Sequence, residues 1–119
     1  MGTLIVSIGR NVGDEPMGDY LWEAFRTEVW GAVDFPVWAA DGQIVFTGQG
    51  EGQWRGEDGA TTYEAAYTIV ALVPDADNDI VREAVVRSMA KIAGKYGQDA
   101  IAVTLGATTL AGMQHSASN

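Results

Sequence analysis

The sequence predicts one α+β domain whose elements run β-α-β-β-α-β, and three observations predict it. Runs of alternating, β-branched residues stand near both ends, at Thr3–Ile8 and Asp99–Leu105. Two stretches that begin near Asp19 and Asn78 repeat apolar residues every three or four positions, the period of a helix with one buried face. Between them, Gln43–Thr47 resumes strand character and runs into a glycine strip, Thr61–Val73 alternates as the returning strand, and the two arms are joined by Gly56-Glu57-Asp58-Gly59, a turn of residues that tolerate positive φ. This order is that of the split βαβ unit, the ferredoxin-like arrangement: a four-stranded antiparallel sheet in the order 4-1-3-2 with both helices on one face. The second strand is then an edge, and the hairpin of the second and third strands is long enough to project beyond the body.

In the first strand, Leu4, Val6 and Ile8 share one face. Gly9-Arg10-Asn11-Val12-Gly13-Asp14-Glu15-Pro16 ends it with turn formers. Arg10 at the strand end and Asn11 between glycines are candidate anion contacts; the alternative is an exposed connection in which Arg10 pairs with Asp14 or Glu15. The first helix is expected to start at Gly18 or Asp19 and to carry a stripe of Leu21, Phe25, Val29 and Ala32 or Val33, with Trp22 and Trp30 at its margins. Asp34-Phe35-Pro36 is expected to stop it near Val33. Val37–Ala40 reads as either a short extended segment or a helical turn. In the third strand Tyr63, Tyr67, Ile69 and Val73 share one face, and Glu64, Val70 and Leu72 share the other. Asp77 or Asn78 caps the second helix, Val81, Val85, Met89, Ile92 and Tyr96 form its apolar face, and Gly97 ends it in a left-handed turn. Thr108–Leu110 is a candidate extension of the last strand. Residues 1–112 form the domain, and 113–119 lack a packing pattern and are expected to fray.

At 119 residues the chain is long enough for one core and too short for two. Its net charge of −9 opposes general nucleic-acid or anionic-membrane binding, both of which need clustered Lys and Arg. No cysteine is present, so disulfide and thiolate chemistry are excluded. No apolar run reaches the roughly 18 residues of a membrane span, and no basic leader precedes the first strand, so a cytoplasmic protein is expected. The one histidine, His115, lies in the tail, which leaves no nitrogen or sulfur metal site and no Ser-His-Asp triad. Asp75, Asp77 and Asp79 lack the downstream spacing of a calcium loop, and the glycine run lacks the Gly-Lys-Ser/Thr ending of a P-loop. No metal and no cofactor are expected.

The stretch most suggestive of recognition is Gly48-Gln49-Gly50-Glu51-Gly52-Gln53-Trp54-Arg55-Gly56. In an extended chain its glycines leave one face bare, where a backbone, a ring or a ligand can approach. Three readings stay open: a bend in a coiled hairpin, packing against a second subunit, or a ligand surface. As a ligand surface it would combine Gly50 and Gly52 with Trp54, Arg55, Tyr63 and Glu64 on the hairpin, and with Arg10 and Asn11 on the first loop.

Gly9-Arg10-Asn11, Gly50-x-Gly52-x-Trp54-x-Gly56 and Tyr96-Gly97-Gln98-Asp99-Ala100-Ile101 together resemble small uncharacterised proteins of actinobacteria and their bacteriophages. The resemblance, over roughly residues 4 to 106, extends to a bacterial family of unknown function with a ferredoxin-like fold and a Gly-x-Trp-x-Gly hairpin. It implies the fold and a phage or actinobacterial setting, and no activity.

The favoured functional expectation is a non-catalytic binder, acting as a homodimer or higher oligomer because two helices leave one sheet face uncovered. Its partner would be a small anionic or nucleotide-type ligand, as in sequestering a signal, or a host protein to be blocked. The alternatives are a cofactor-independent dimeric α/β-barrel enzyme with Glu64, Glu51 or Tyr63 as general acid or base, and a structural subunit assembling through the hairpin edge. Binding is preferred because no acid-base pair stands out.

Overall fold

The computed structural model describes residues 1–112; the tail 113–119, with His115, lies outside the described residues. Strand β1 (Gly2–Gly9) leads into two two-residue strands, β2 (Asn11–Val12) and β3 (Glu15–Pro16), which pair with each other. Helix α1 (Asp19–Ala39), the long strands β4 (Gln43–Arg55) and β5 (Thr61–Val73), helix α2 (Asn78–Lys95) and strand β6 (Ala102–Ala107) follow. The sheet runs β4-β5-β1-β6 with every neighbouring pair antiparallel, so the four long strands stand in the chain order second, third, first, fourth.

One face of this sheet is packed and the other is open. Leu4, Val6 and Ile8 of β1 and Ile69, Ala71 and Val73 of β5 are buried against both helices. Helix α2 contributes Val81, Val85, Met89 and Ile92 to the same core. On the open face Ile5 is flanked by Val70, which pairs in turn with Phe46; Ile5 and Phe46 are exposed. Ser7 and Thr68 hydroxyls meet there at 2.7 Å.

Helix α1 departs from expectation twice. It continues through Pro36 to Ala39 rather than stopping near Val33. Proline removes one intrahelical donor, but the extra turn buries Val37 beneath the sheet, and burial of a valine-sized side chain contributes about 1.5–3 kcal/mol. The actual end is made by Gly42 N–H donating to Val37 O at 2.8 Å across Asp41, whose φ is 59°. Second, the buried stripe is Trp22, Phe25, Val29, Val33 and Val37: Trp22 is 3% exposed, whereas Leu21 is 52% exposed. Either residue satisfies the helical spacing; the larger indole is the one turned onto the sheet, where it meets Phe25 edge-on at 6.0 Å. The N-cap is Gly18, without a side-chain cap bond, and β6 ends at Ala107 without reaching Thr108–Leu110.

The hairpin extends past the body. Strand β1 pairs β5 from Ala66 to Val73, so among the described residues Thr61–Glu64 has only β4 beside it in the sheet. The described chain measures 55 Å along its longest axis against 29 and 23 Å across. A bulge between Ile44 and Phe46 shifts the register near the base of β4, and from Phe46 to Arg55 pairing is regular. At the tip Gly59 adopts φ 82° and Asp58 Oδ1 accepts from Ala60 N–H at 3.0 Å.

Candidate functional site

The cleft that gathers chemistry lies where the outer hairpin meets the end of β1 and the turn after α2. It has a volume of about 490 Å³, and Asn11, Asp14, Trp54, Glu64, Gln98 and Asp99 are among the residues lining it. Trp54 and Glu64 project from the open face because Trp54 pairs with Thr62 and Glu64 with Gly52, in step with Ala66 opposite Gly9. The indole is 50% exposed.

Glu64 is the fixed point. Its Oε2 accepts the Asn11 main-chain N–H at 2.7 Å, so the carboxylate lies directly over Gly9. A Cβ at position 9 would occupy the space of that carboxylate and force it to move. Gln98 Nε2 donates to Asn11 O at 2.9 Å and ties the α2–β6 turn to the same loop. That turn is shaped by Gly97, at φ 68°, and Gln98 N–H donates to Ala93 O at 2.9 Å. Among the described residues, the charged side chains lining the cleft are Asp14, Glu64 and Asp99, with no Lys or Arg.

The other proposed site residues fall elsewhere. Arg10 is directed to the helix side, where Nε donates to Met17 O and an Nη to Asp19 Oδ1, both at 2.7 Å. Its partner is therefore Asp19, not Asp14 or Glu15, and it fastens the start of α1 to β1. Arg55 and Tyr63 alternate with Trp54 and Glu64 and occupy the opposite face of the hairpin; Tyr63 is 59% exposed, and Arg55 has no ion pair among the described residues. Gly50 and Gly52 share the face of Trp54. A Cβ at Gly50 would meet nothing within 4 Å, and one at Gly52 would make ordinary contact with Ala66 at 3.6 Å, so the bare strip is open ground. Gly48 differs, since the ring of Phe46 lies over it. Sequence reasoning had not placed Asp14, Gln98 and Asp99 in the site. The signal for the last two was the left-handed Gly97 directly before a polar pair, which turns the chain back towards the β1 loop.

A second polar cluster stands on the helix side of the same turn. The Tyr96 hydroxyl donates to Glu28 Oε2, and Lys95 Nζ donates to Glu28 Oε1 at 3.1 Å. The hydrogen bond to Glu28, with burial added, pushes the Tyr96 phenol up to about 12. The same bond, followed by that from Lys95, holds the Glu28 carboxyl below its ordinary value. Tyr96 stacks on Phe25 at 4.8 Å, which joins the cluster to the core. Among the described residues no group of three or more His, Cys, Asp or Glu is placed to hold a metal ion, and no helix is long and apolar enough to cross a membrane.

No protein-family model matches the chain, and comparison with curated protein sequences gives no significant match. Solved structures similar in fold include a phage SAM lyase in complex with S-methyl-5'-thioadenosine, at TM-score 0.56 and 12% identity over 88% of this chain and 79% of that one. A phage SAM lyase in the apo state aligns at TM-score 0.55 and 14% identity, over 88% of this chain and 78% of the other. A DUF3240 family protein from Shewanella baltica aligns at TM-score 0.49 and 9% identity, over 93% of each. For the two lyase structures the likeness at these identities is one of fold alone.

Proposed function

We propose that the chain is a small-molecule-binding protein, built on a ferredoxin-like sheet, whose ligand is a small cation carrying a flat ring and occupies the cleft around Glu64. The observation that carries this reading is the lining, which among the described residues has three carboxylates, no cationic side chain, and a half-exposed indole. Carboxylates attract a cation, an indole face adds cation–π attraction, and a cleft shields both from water more than an open surface does. The same charges disfavour the nucleoside phosphates that the composition had left open. An adenosylsulfonium is one ligand class that joins a flat base to a fixed positive charge. It is also the class to which the phage lyase's name refers, and that protein supplies the choice of probe.

The primary reading is sequestration without turnover. An enzymatic reading is favoured by one observation: Asn11 N–H holds Glu64 Oε2, while Oε1 has no hydrogen-bond partner among the described residues and is available to accept a proton from a bound ligand.

Calorimetry with S-adenosylmethionine, the neutral S-methyl-5'-thioadenosine and ATP tests the assignment. S-adenosylmethionine should bind at least about tenfold more tightly than the neutral thioether, and Glu64→Gln should remove most of that preference. Equal affinity for the two, or tighter binding of ATP, would sink the cationic reading. Chromatography of the same mixtures separates its two forms, because intact ligand after prolonged incubation supports sequestration and products that disappear in Glu64→Gln support an enzyme.

A further inference from the structure

The segment Phe46-Thr47-Gly48-Gln49-Gly50-Glu51-Gly52-Gln53-Trp54 reads almost the same in both directions about Gly50: a ring, three alternating glycines, a ring. It lies on β4, which among the described residues is the outermost strand and pairs only with β5. Edge strands are usually blunted by lysine, proline or shortness, because a free ladder of N–H and C=O groups invites another strand. Strand β4 has none of these devices: it is 13 residues long, lacks Lys and Pro, and carries charge only at Glu51 and Arg55. Its bulge lies at the inner end, outside the near-palindrome.

We infer that two copies of the chain join β4 to β4 antiparallel about a two-fold axis through Gly50, giving one continuous eight-stranded sheet. In this register Gly48 faces the partner's Gly52 and Gly50 faces its own counterpart. Phe46 stands opposite the partner's Trp54 on the open face, and cross-strand aromatic pairs are among the favourable neighbours of a sheet. On the other face Glu51 falls opposite the partner's Gln49, so no like charges are directly opposed. An isologous contact must satisfy itself in this way, each patch matching its own copy after rotation. Shifting the register by two residues places a ring over a glycine and loses both aromatic pairs; an unrelated strand would have no reason to match the symmetry. Because Trp54 also lines the Glu64 cleft, each cleft gains the partner's Phe46 beside its indole. Gly50 and Gly52 of the two strands form a bare floor between the two clefts, bordered by Gly48 beneath the Phe46 ring of each chain. The dimer does not depend on the identity of the ligand.

Disulfide trapping reads the register directly, since the chain has no cysteine of its own. Paired Cα atoms across an antiparallel ladder stand about 4.5–5.5 Å apart, within disulfide reach. The open space at Gly50 accepts a Gly50→Cys side chain. Mild oxidation without ligand should convert most of that variant to covalent dimer, while Gly52→Cys, whose counterpart lies more than about 13 Å away, should remain largely uncross-linked. Wild type should sediment at twice the 12.6 kDa chain mass. If circular dichroism shows Gly50→Cys misfolded, a mixture of Gln49→Cys and Glu51→Cys chains replaces it and should cross-link more than either alone. A monomer at tens of micromolar, a ring with an odd number of copies, or equal cross-linking at positions 50 and 52 overturns the proposal. Since trapping is scored without ligand, its failure leaves the cation reading standing, and failed ligand binding leaves the dimer standing.

Discussion

The inner and outer halves of the β4–β5 hairpin share backbone conformation, pairing and alternation, yet one is core and the other is surface. On a single face of β5, Ile69 is 1% exposed and Tyr63 is 59% exposed. The difference lies in what the neighbouring elements reach. Strand β1 ends at Gly9 opposite Ala66, and both helices pack beneath the inner half only. Burial is thus set by the lengths of other elements, not by the strand's own sequence. The outer half is held by its ladder to β4 and by the Glu64–Asn11 bond, and is free to carry recognition groups that the core does not need.

The largest expected effect breaks the contrast at its inner end. Ile69→Ala should cost about 2–5 kcal/mol of unfolding free energy, through lost apolar burial and the cavity left among Leu4, Val6 and α1. Tyr63→Ala, six residues away on the same face, should stay within about 0.5 kcal/mol. Urea titration of the two variants measures both, and comparable losses would show that the outer half is packed in solution.

The same contrast explains what the sequence made legible. Strand alternation, the turn at Gly56–Gly59 and the left-handed Gly97 are local properties, and each element they predict is present. The choice of Trp22 over Leu21 was not legible, because both fit one helical period and only the sheet beneath distinguishes them. The helix continuing through Pro36 depends on burial of Val37, and the ion pair of Arg10 depends on the path of β2 and β3; neither can be read from nearby residues. For the site, Trp54, Glu64 and Asn11 were visible as residue types. Their meeting with Gln98 and Asp99 required the topology that places the α2–β6 turn beside the end of β1.

An intermediate effect separates stability from recognition. A methyl group at Gly9 would displace the Glu64 carboxylate, the movable end of a flexible side chain, rather than backbone. Gly9→Ala should therefore change stability by less than about 1 kcal/mol while reducing affinity for S-adenosylmethionine about tenfold or more. Parallel urea and calorimetric titrations read the two quantities, and full affinity in this variant would show that the carboxylate's position over Gly9 is unimportant for binding.

The smallest effect concerns the Tyr96–Glu28 clasp, which belongs to the body although it borders the turn that walls the cleft. Tyr96 titrates at about 12 when folded against 10.0 for the free phenol, so the folded state keeps a proton that the unfolded state releases first. Its stabilisation is fully present below pH 10 and is lost as pH rises from about 10 towards 12. The Glu28 carboxyl is held below its usual 4.5, so its contribution is present above that value and is lost as pH falls through the lowered one. Wild type should therefore be more stable than Tyr96→Phe by the widest margin between about pH 5 and 10, with the margin closing on both sides. Thermal melts across pH measure it; no margin at any pH would show that only the ring stacking on Phe25, which the phenylalanine keeps, matters, and a margin independent of pH would show that it does not arise from the Tyr96 and Glu28 ionisations. Both proteins should bind ligand alike at pH 7, because Glu64 is positioned by Asn11 and not by the clasp.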